Sequence, residues 1–215
     1  MSLLSRVCLV RHGETEWNRA RRLQGHIDIA LNGRGLRQAA AAAAWLAAEP
    51  DPPVSAVYSS DLKRAYATAE RIAHRLHLPV RPAPELRERR FGALEGLTHD
   101  EARQRQPEAY ARLEARDPDY VFPGGGESLR QLEARVTRCL TDIVAAHPNE
   151  TVVVVTHGGV LDVAYRFVRT VPLHLPRDFA VLNAGLNWIS IGVDGWRIEA
   201  WAQIEHLEAA ALDEL

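Results

Sequence analysis

Short apolar runs alternate with longer amphipathic stretches along the 215 residues of the chain. The runs at 7–10 and 152–155 are apolar throughout, which predicts buried strands, and a shorter strand is predicted at 56–59. Helices are predicted at 33–49, 61–77, 128–146 and 160–169. Strands that alternate with helices are typical of the α/β class. The pattern therefore predicts a three-layer α/β/α sandwich with a mostly parallel central sheet.

The predicted helices begin where the sequence offers a capping residue. The candidate N-caps are Asn32, Asp61, Thr98 and Ser128. Thr98 is followed by Glu101 at the spacing of a capping box, and Pro107 interrupts the polar helical segment that follows. Segments 187–191 and 196–202, joined through Asp194-Gly195, predict a hairpin at the sheet edge.

No repeat, low-complexity tract or linker divides the chain, and its length suits one domain. We therefore expect residues 1–215 to form a single domain. The polar block at about 97–126 is interpreted as a helical insertion that covers the active face, and we expect it to act as a lid.

Composition restricts the class of protein. Hydrophobic residues make up 47% of the chain and charged residues 25%, with a formal net charge of -2, as in ordinary soluble proteins. A chain without a basic excess is not expected to bind nucleic acid or a membrane surface. The longest apolar run, Ala39–Ala48, is too short to span a bilayer. The residues before Val7 lack the pattern of a signal peptide, and Cys8 and Cys139 do not form a disulfide framework, so we expect a cytoplasmic protein.

Two histidines follow the two most apolar strands. Arg11-His12-Gly13 comes after the strand at 7–10, and Thr156-His157-Gly158 comes after the strand at 152–155. Ligands of α/β proteins bind at the carboxyl ends of such strands. Arg11 adds a guanidinium group suited to phosphate, and Arg64 falls in the first turn of the helix predicted at 61–77.

These residue types fit phosphoryl transfer. A neutral imidazole is a competent nucleophile near neutral pH, so His12 suits that role if its other ring nitrogen is held by a hydrogen bond. A phosphate monoester carries about -1.5 to -2 charges. Arg11 and Arg64 supply two fixed positive charges, and His157, when protonated, supplies a third.

A fourth segment, Leu86–Gly96, places carboxylates in a glycine-punctuated loop. Taken in their order along the chain, from Val7 to about Val160, the four motifs resemble the histidine phosphatase superfamily, also called the phosphoglycerate mutase-like family. The resemblance implies a phosphate pocket built from Arg11, His12, Arg64 and His157, with His12 phosphorylated. It also aligns Asn18 with a residue that contacts the phosphoryl group and Glu88 with the catalytic glutamate, the proton donor. Glu95 remains the alternative proton donor.

Further contacts are predicted around this pocket. Thr15, Gln24 and Gly25 lie on the first loop and are expected to line the leaving-group side, and Gly158 is expected to contact the substrate. Glu127 and Ser128, after the triple-glycine loop, are weaker candidates. Neither a metal nor another cofactor is implied, because His74 and His77 have the spacing of two ligands without an evident third.

Two activities share such a pocket, and the sequence favours the phosphatase branch over the mutases. Gln24 stands where the mutases have threonine, and the segment 97–123 is shorter than their insertion. That segment offers only the separated Arg112 and Arg116 where mutases have adjacent arginines. In contrast, Glu88–Leu94 resembles a mutase segment closely.

We therefore expect a metal-independent phosphomonoester hydrolase that acts on a small phosphorylated metabolite. A cofactor-dependent phosphoglycerate mutase is the second interpretation. A non-catalytic regulator that binds a phosphorylated ligand is the third, although every catalytic position is occupied by a competent residue. A homodimer remains open.

Overall fold

One mixed sheet crosses the computed structural model, which describes residues 4–48 and 53–212. Its strands are β1 Ser5–Arg11, β2 Val54–Ser59, β3 Val80–Pro82, β4 Thr151–Thr156, β5 Leu186–Gly192 and β6 Gly195–Gln203. They lie in the order β3-β2-β4-β1-β5-β6. The first four strands are parallel, while β5 and β6 run antiparallel and form the predicted hairpin at one edge. The prediction of a mostly parallel sheet is confirmed.

Helices cover both faces of the sheet. They are α1 Glu16–Arg19, α2 Gly33–Ala48, α3 Lys63–Leu76, α4 His99–Arg105, α5 Pro107–Glu114, α6 Leu129–Ala146, α7 Gly158–Arg169 and α8 Glu205–Leu212. Val152 and Val154 of β4 pack with α6 and α7, whereas Val153 and Val155 pack with α2 and α3. Because side chains alternate along a strand, this all-valine strand supplies both cores. The three-layer sandwich is confirmed.

Most of the predicted helix starts are correct. Thr98 and Ser128 form capping boxes, and Asn32 accepts a hydrogen bond from the Gly35 amide at 2.8 Å. The assignment of Asp61 as an N-cap is wrong. Leu62 is the N-cap of α3, and the Asp61 carboxylate pairs with Arg87 at 2.5 Å and 2.6 Å. The Asp61 carboxylate binds the guanidinium group of a residue distant in sequence instead of the first amides of the helix.

One further helix boundary and one short helix also differ from the predictions. Helix α7 begins at Gly158, two residues before the predicted start at Val160, because tertiary contacts override the low helix propensity of its two glycines. Helix α1 was not predicted within its loop. The predicted last residue of α2, Glu49, lies outside the described residues.

The predicted insertion contains α4 and α5, which meet at Pro107 as expected. The two helices pack around a small core of their own that includes Ala102, Ala109, Tyr110 and Phe122. An ion pair from Arg22 to Glu101, 2.6 Å long, joins the insertion to the first loop. None of the helices within 4–48 and 53–212 is both long and apolar enough to cross a membrane.

Candidate active site

The two predicted histidines meet at the carboxyl ends of β1 and β4. These strands are parallel neighbours, with Arg11 opposite Thr156, so the residues that follow them emerge side by side. The ring centroids of His12 and His157 are 5.1 Å apart, and both side chains are buried. His12 lines a cavity of about 640 Å³ that has the insertion as one wall, and His157 packs against the His12 ring.

The local backbone presents His12 as a nucleophile. Its Nδ1–H donates to the Gly13 carbonyl at 2.7 Å, which leaves the lone pair on Nε2. Burial, reinforced by the positive charges of Arg64 and Arg11, holds the pKa of His12 well below its usual value, so the ring is neutral. A Cβ on Gly13 would lie 2.4 Å from the Gly35 carbonyl oxygen, so only glycine allows this turn to approach α2 so closely.

His157 is held by a residue that sequence reasoning did not identify. Its Nε2 lies 2.8 Å from the Ser60 hydroxyl, whose oxygen also accepts a hydrogen bond from the Leu62 amide at 3.3 Å. In the tautomer in which the Ser60 hydroxyl donates to Nε2, the hydrogen of the ring is on Nδ1. Burial, followed by the charge of Arg64, holds the pKa of His157 well below its usual value. The free site thus has a neutral His157, and a third positive charge requires protonation of His157 in the complex.

Arg11, which is half-buried, and Arg64, which is fully buried, bring two guanidinium groups to the histidines. Arg11 donates to the Val181 carbonyl at 2.7 Å, and Arg64 donates to the carbonyls of Gly25 and Ile27 at 2.8 Å and 3.0 Å. Burial lowers the pKa of Arg64 to about 10, which leaves it protonated at neutral pH. Their partners are main-chain carbonyls, so the positive charge is not neutralised by these hydrogen bonds.

Three nitrogens around His12 have no hydrogen-bond partner among the residues that the structure describes. They are Nε of Arg11, Nε of Arg64 and Nδ1 of His157, all buried. Native proteins pair nearly all buried polar atoms, and an unpaired one is costly. Two of the three nitrogens belong to cationic guanidinium groups, and such unpaired donors suit a site that binds an anion.

The residues of the first loop that were predicted to contact the substrate fall into two groups. Asn18 and Gln24 line the cavity. Thr15 is fully buried and caps α1, where its hydroxyl and amide bond to the Asn18 amide group. Gly25 supplies the carbonyl that holds Arg64. The structure therefore places Thr15 and Gly25 behind the cavity wall, as supports for Asn18 and Arg64.

The two candidate acids are placed differently. Glu88 lines the cavity, and its carboxylate accepts hydrogen bonds from the Gly159 amide at 2.9 Å and the Arg89 amide at 2.8 Å. Glu95 accepts from two loop amides, those of His26 and Phe91, and is not among the residues that line the cavity. The geometry favours Glu88.

The outer wall of the cavity contains charged residues that sequence reasoning did not place there. They are Arg22, Arg89, Glu114, Asp162 and Arg177. Gly158, a predicted substrate contact, and Arg116 of the insertion also line the cavity. Glu127 and Ser128, the weaker candidates, do not. Ser128 instead caps α6. No local pattern marks the outer residues, because they come from five separate segments of the chain.

Within the described ranges, no group of three or more His, Cys, Asp and Glu side chains is arranged to hold a metal ion. That catalysis needs no metal stays a prediction.

Two histidines and two arginines in one pocket of an α/β sandwich are the features of a phosphoryl-transfer protein. Comparison with known proteins leads to the same class. The family model for the histidine phosphatase superfamily (branch 1) matches residues 7–204. The chain is 42% identical to a metal-independent phosphoserine phosphatase of Arabidopsis thaliana, over 97% of this chain and 85% of that protein. The chain therefore belongs to the histidine phosphatase superfamily, as its sequence motifs predicted.

Two solved structures resemble this one closely. YhfR of Bacillus stearothermophilus has a TM-score of 0.85 at 30% identity, with 94% of this chain and 99% of that chain covered. A phosphoserine phosphatase of Entamoeba histolytica, solved in complex with 3-phosphoglyceric acid, has a TM-score of 0.82 at 27% identity, with 94% and 99% covered. The predictions of the fold and of a histidine phosphatase are confirmed.

Proposed function

We propose that this histidine phosphatase hydrolyses a small phosphomonoester through a phosphohistidine at His12. The observation that carries the proposal is the set of three unpaired, buried nitrogens beside the free Nε2 of His12. A phosphoryl group has three acceptor oxygens and nearly two negative charges. It would satisfy the donors of Arg11, Arg64 and His157 at once.

The reaction then has two displacements at phosphorus. In the first, His12 Nε2 forms a bond to phosphorus while the bond to the leaving oxygen breaks. In the second, water attacks phosphorus, the P–N bond breaks, and phosphate and free His12 result. Arg11 and Arg64 stabilise the charge on the phosphoryl oxygens in both transition states.

Glu88 is the group that moves protons in this scheme. Its carboxylate lines the same cavity as His12 and accepts a hydrogen bond from the Gly159 amide in the first turn of α7, which supports this role. As an acid, it donates a proton to the leaving oxygen in the first step. As the resulting carboxylate, it takes a proton from the attacking water in the second.

The outer wall favours a substrate with a second anionic group. Beyond the phosphoryl pocket the cavity is lined by four arginines and two carboxylates, and Arg22 has a third carboxylate, that of Glu101, as its partner, which leaves an excess of one positive charge. Its volume of about 640 Å³ suits a small metabolite. The Arabidopsis and Entamoeba relatives are named for phosphoserine, which carries a carboxylate, and the Entamoeba structure holds 3-phosphoglyceric acid. These observations support a phosphorylated carboxylic acid as the substrate.

The arginines of the insertion support hydrolysis rather than mutase activity. Arg112 pairs with Asp117 at 3.1 Å, and Arg116 pairs with Asp162. A clamp that retains a phosphoglycerate while it reorients needs guanidinium groups that are free to bind its carboxylate. The product is then expected to leave before it recaptures the phosphoryl group.

Trapping of the intermediate tests the proposal. Rapid alkaline quenching of enzyme and labelled 3-phosphoglycerate should give an acid-labile, base-stable phosphoryl adduct on His12, absent from His12→Asn. Folded protein with neither an adduct nor turnover of an aryl phosphate would favour the regulator. With 3-phosphoglycerate and a trace of 2,3-bisphosphoglycerate, release of phosphate should exceed formation of 2-phosphoglycerate. The reverse result would establish the mutase.

Substrate pairs test the second anion. We expect higher kcat/KM for phosphoserine than for phosphoethanolamine, and for 3-phosphoglycerate than for glycerol 3-phosphate, because each second member lacks the carboxylate. Equal values within both pairs would contradict the assignment.

A further inference from the structure

The loop that carries Glu88 is held from outside the cavity by an ion pair. Arg135 of α6 binds Glu127 in a bidentate manner, with Nε–Oε1 at 2.6 Å and Nη2–Oε2 at 2.9 Å. The side chains are only 22% and 16% exposed, so solvent screens the pair weakly. Neither residue lines the active-site cavity. Glu127, a candidate pocket contact from the sequence, therefore acts elsewhere.

The same guanidinium reaches the main chain of the Glu88 loop. Arg135 Nη1 donates to the Glu85 carbonyl at 2.5 Å, and Nη2 donates to the Glu88 carbonyl at 3.0 Å. His26 Nε2 donates to that Glu88 carbonyl as well, at 2.8 Å. Hydrogen bonds from α6 and from the first loop thus hold the Glu88 carbonyl, while two amides on the cavity side hold its carboxylate.

We propose that Arg135, clamped by Glu127, is a positioning residue for proton transfer by Glu88. The inference rests on the proposed function, in which Glu88 protonates the leaving oxygen. A proton donor must lie within hydrogen-bond reach of its acceptor, and a displacement of about 1 Å can cost roughly 10²-fold in rate. Arg135 controls that distance because it fixes the peptide that bears the side chain.

The arrangement requires an arginine. One planar group serves two carboxylate oxygens and two main-chain carbonyls, and a lysine ammonium cannot reproduce that fork. Arg135→Lys therefore keeps the positive charge and loses the geometry. A matched control lies five residues earlier in α6, where Arg130 forms an exposed bidentate pair with Asp119 at 2.6 Å and 3.0 Å and does not touch the Glu88 loop.

The experiment compares an alkyl phosphate, whose leaving group needs a proton, with p-nitrophenyl phosphate, whose leaving group does not. The quantity compared is kcat/KM, which reports the first displacement only, because the second displacement is common to both substrates and uses Glu88 as a base. For Arg135→Lys we expect kcat/KM on the alkyl phosphate to fall about 10–100-fold, with kcat/KM on p-nitrophenyl phosphate nearly unchanged. Glu88→Gln should lose roughly 10²–10⁴-fold in kcat/KM on the alkyl phosphate alone. The double variant should be no slower than Glu88→Gln, because positioning a group that cannot donate a proton has no value. Arg130→Lys should behave as the unaltered enzyme.

The outcomes separate this inference from the proposed function. Equal losses on both substrates for Arg135→Lys, or no loss on either, overturn the positioning role if Glu88→Gln remains selective for the alkyl phosphate. Equal losses for Glu88→Gln overturn the acid role of Glu88 itself, and the positioning role with it. Glu127→Gln, which removes the charge and replaces one of the two acceptor oxygens facing Arg135 by an NH2 group, should show the same selectivity as Arg135→Lys in milder form. It decides the question if Arg135→Lys does not fold.

Discussion

The inner and outer halves of the active-site cavity use arginine in opposite ways. In the inner half, Arg11 and Arg64 donate to main-chain carbonyls and each keeps a buried nitrogen without a partner among the described residues. In the outer half, Arg22, Arg116 and Arg177 lie within ion-pair distance of Glu101 or Asp162. In the inner half the positive charge of the arginines is available to a ligand. In the outer half carboxylates neutralise much of the positive charge of the arginines.

Exposure separates the most buried inner arginine from the most exposed outer one among the ion-paired arginines. Arg64 is fully buried, while the side chain of Arg177 is 42% exposed. Charges in a desolvated site interact strongly with a bound anion, and exposed charges are screened by solvent. The comparison indicates that the inner half determines the reaction and that the outer half adjusts which phosphomonoester is preferred.

The strongest test of this division removes an inner arginine. Arg64→Ala should lower kcat by about 10³–10⁵-fold, the range reported for arginines that stabilise phosphoryl-transfer transition states. Arg71→Ala, on an exposed position of the same helix, is the matched control and should change little. A loss below about tenfold in folded Arg64→Ala protein would mean that the unpaired charge is not catalytic.

A second test concerns the neutral histidines of the inner half. Burial holds the pKa of His12 below its usual value, whereas in the unfolded chain the residue takes up a proton near about pH 6.5. Below that pH the unfolded state binds more protons, so the free energy of unfolding should fall as the pH falls.

His12 should contribute about 1.4 kcal/mol of this loss for each pH unit below about 6.5, until the folded protein is protonated as well. Urea denaturation at about pH 7 and about pH 5 measures it, and His12→Asn should show the smaller loss. His74→Asn, at an exposed position of α3, is the control. Parallel pH dependence in all three proteins would show that the inner pocket tolerates a charged His12.

The smallest effect is expected in the outer half. Arg177→Ala should raise KM for 3-phosphoglycerate about tenfold and leave kcat unchanged, because a contact made equally in the ground and transition states affects binding alone. Turnover of glycerol 3-phosphate, which lacks the carboxylate, should be unaffected. Arg169→Ala, exposed at the end of α7, serves as the control. A drop in kcat for Arg177→Ala would place the residue in the reaction and weaken the division between the two halves.

Local sequence signals predicted the parts of the molecule that depend on neighbours along the chain. The capping boxes at Thr98 and Ser128 and the break at Pro107 lie where expected, because their hydrogen bonds span only a few residues. Asp61 was misassigned by the same reasoning, since its competitor for the carboxylate, Arg87, is 26 residues away. A helix cap predicted from local sequence is correct where no distant group competes for the capping side chain.

The phosphoryl pocket was predictable for a related reason. His12 and His157 each follow an apolar strand, and parallel neighbouring strands bring such ends together. The contact between His157 and Ser60 was not predictable, because it joins residues 97 positions apart on separate loops. Thr15 and Gly25 were placed in the correct loop, but their side of that loop depends on how it packs against Asn18 and Arg64.

By itself, the sequence determined the sandwich, the family and the chemical identity of the inner pocket, since periodicity and strand-end motifs are properties of short segments. Only the tertiary structure decided which arginines have carboxylate partners, which acid faces the cavity and what holds that acid in place. Asp162, Arg177 and Arg135 occupy ordinary positions in the chain, and their roles arise from partners that folding brings together. Charge pairing and burial depend on three-dimensional distance, which the order of residues specifies only through the complete fold.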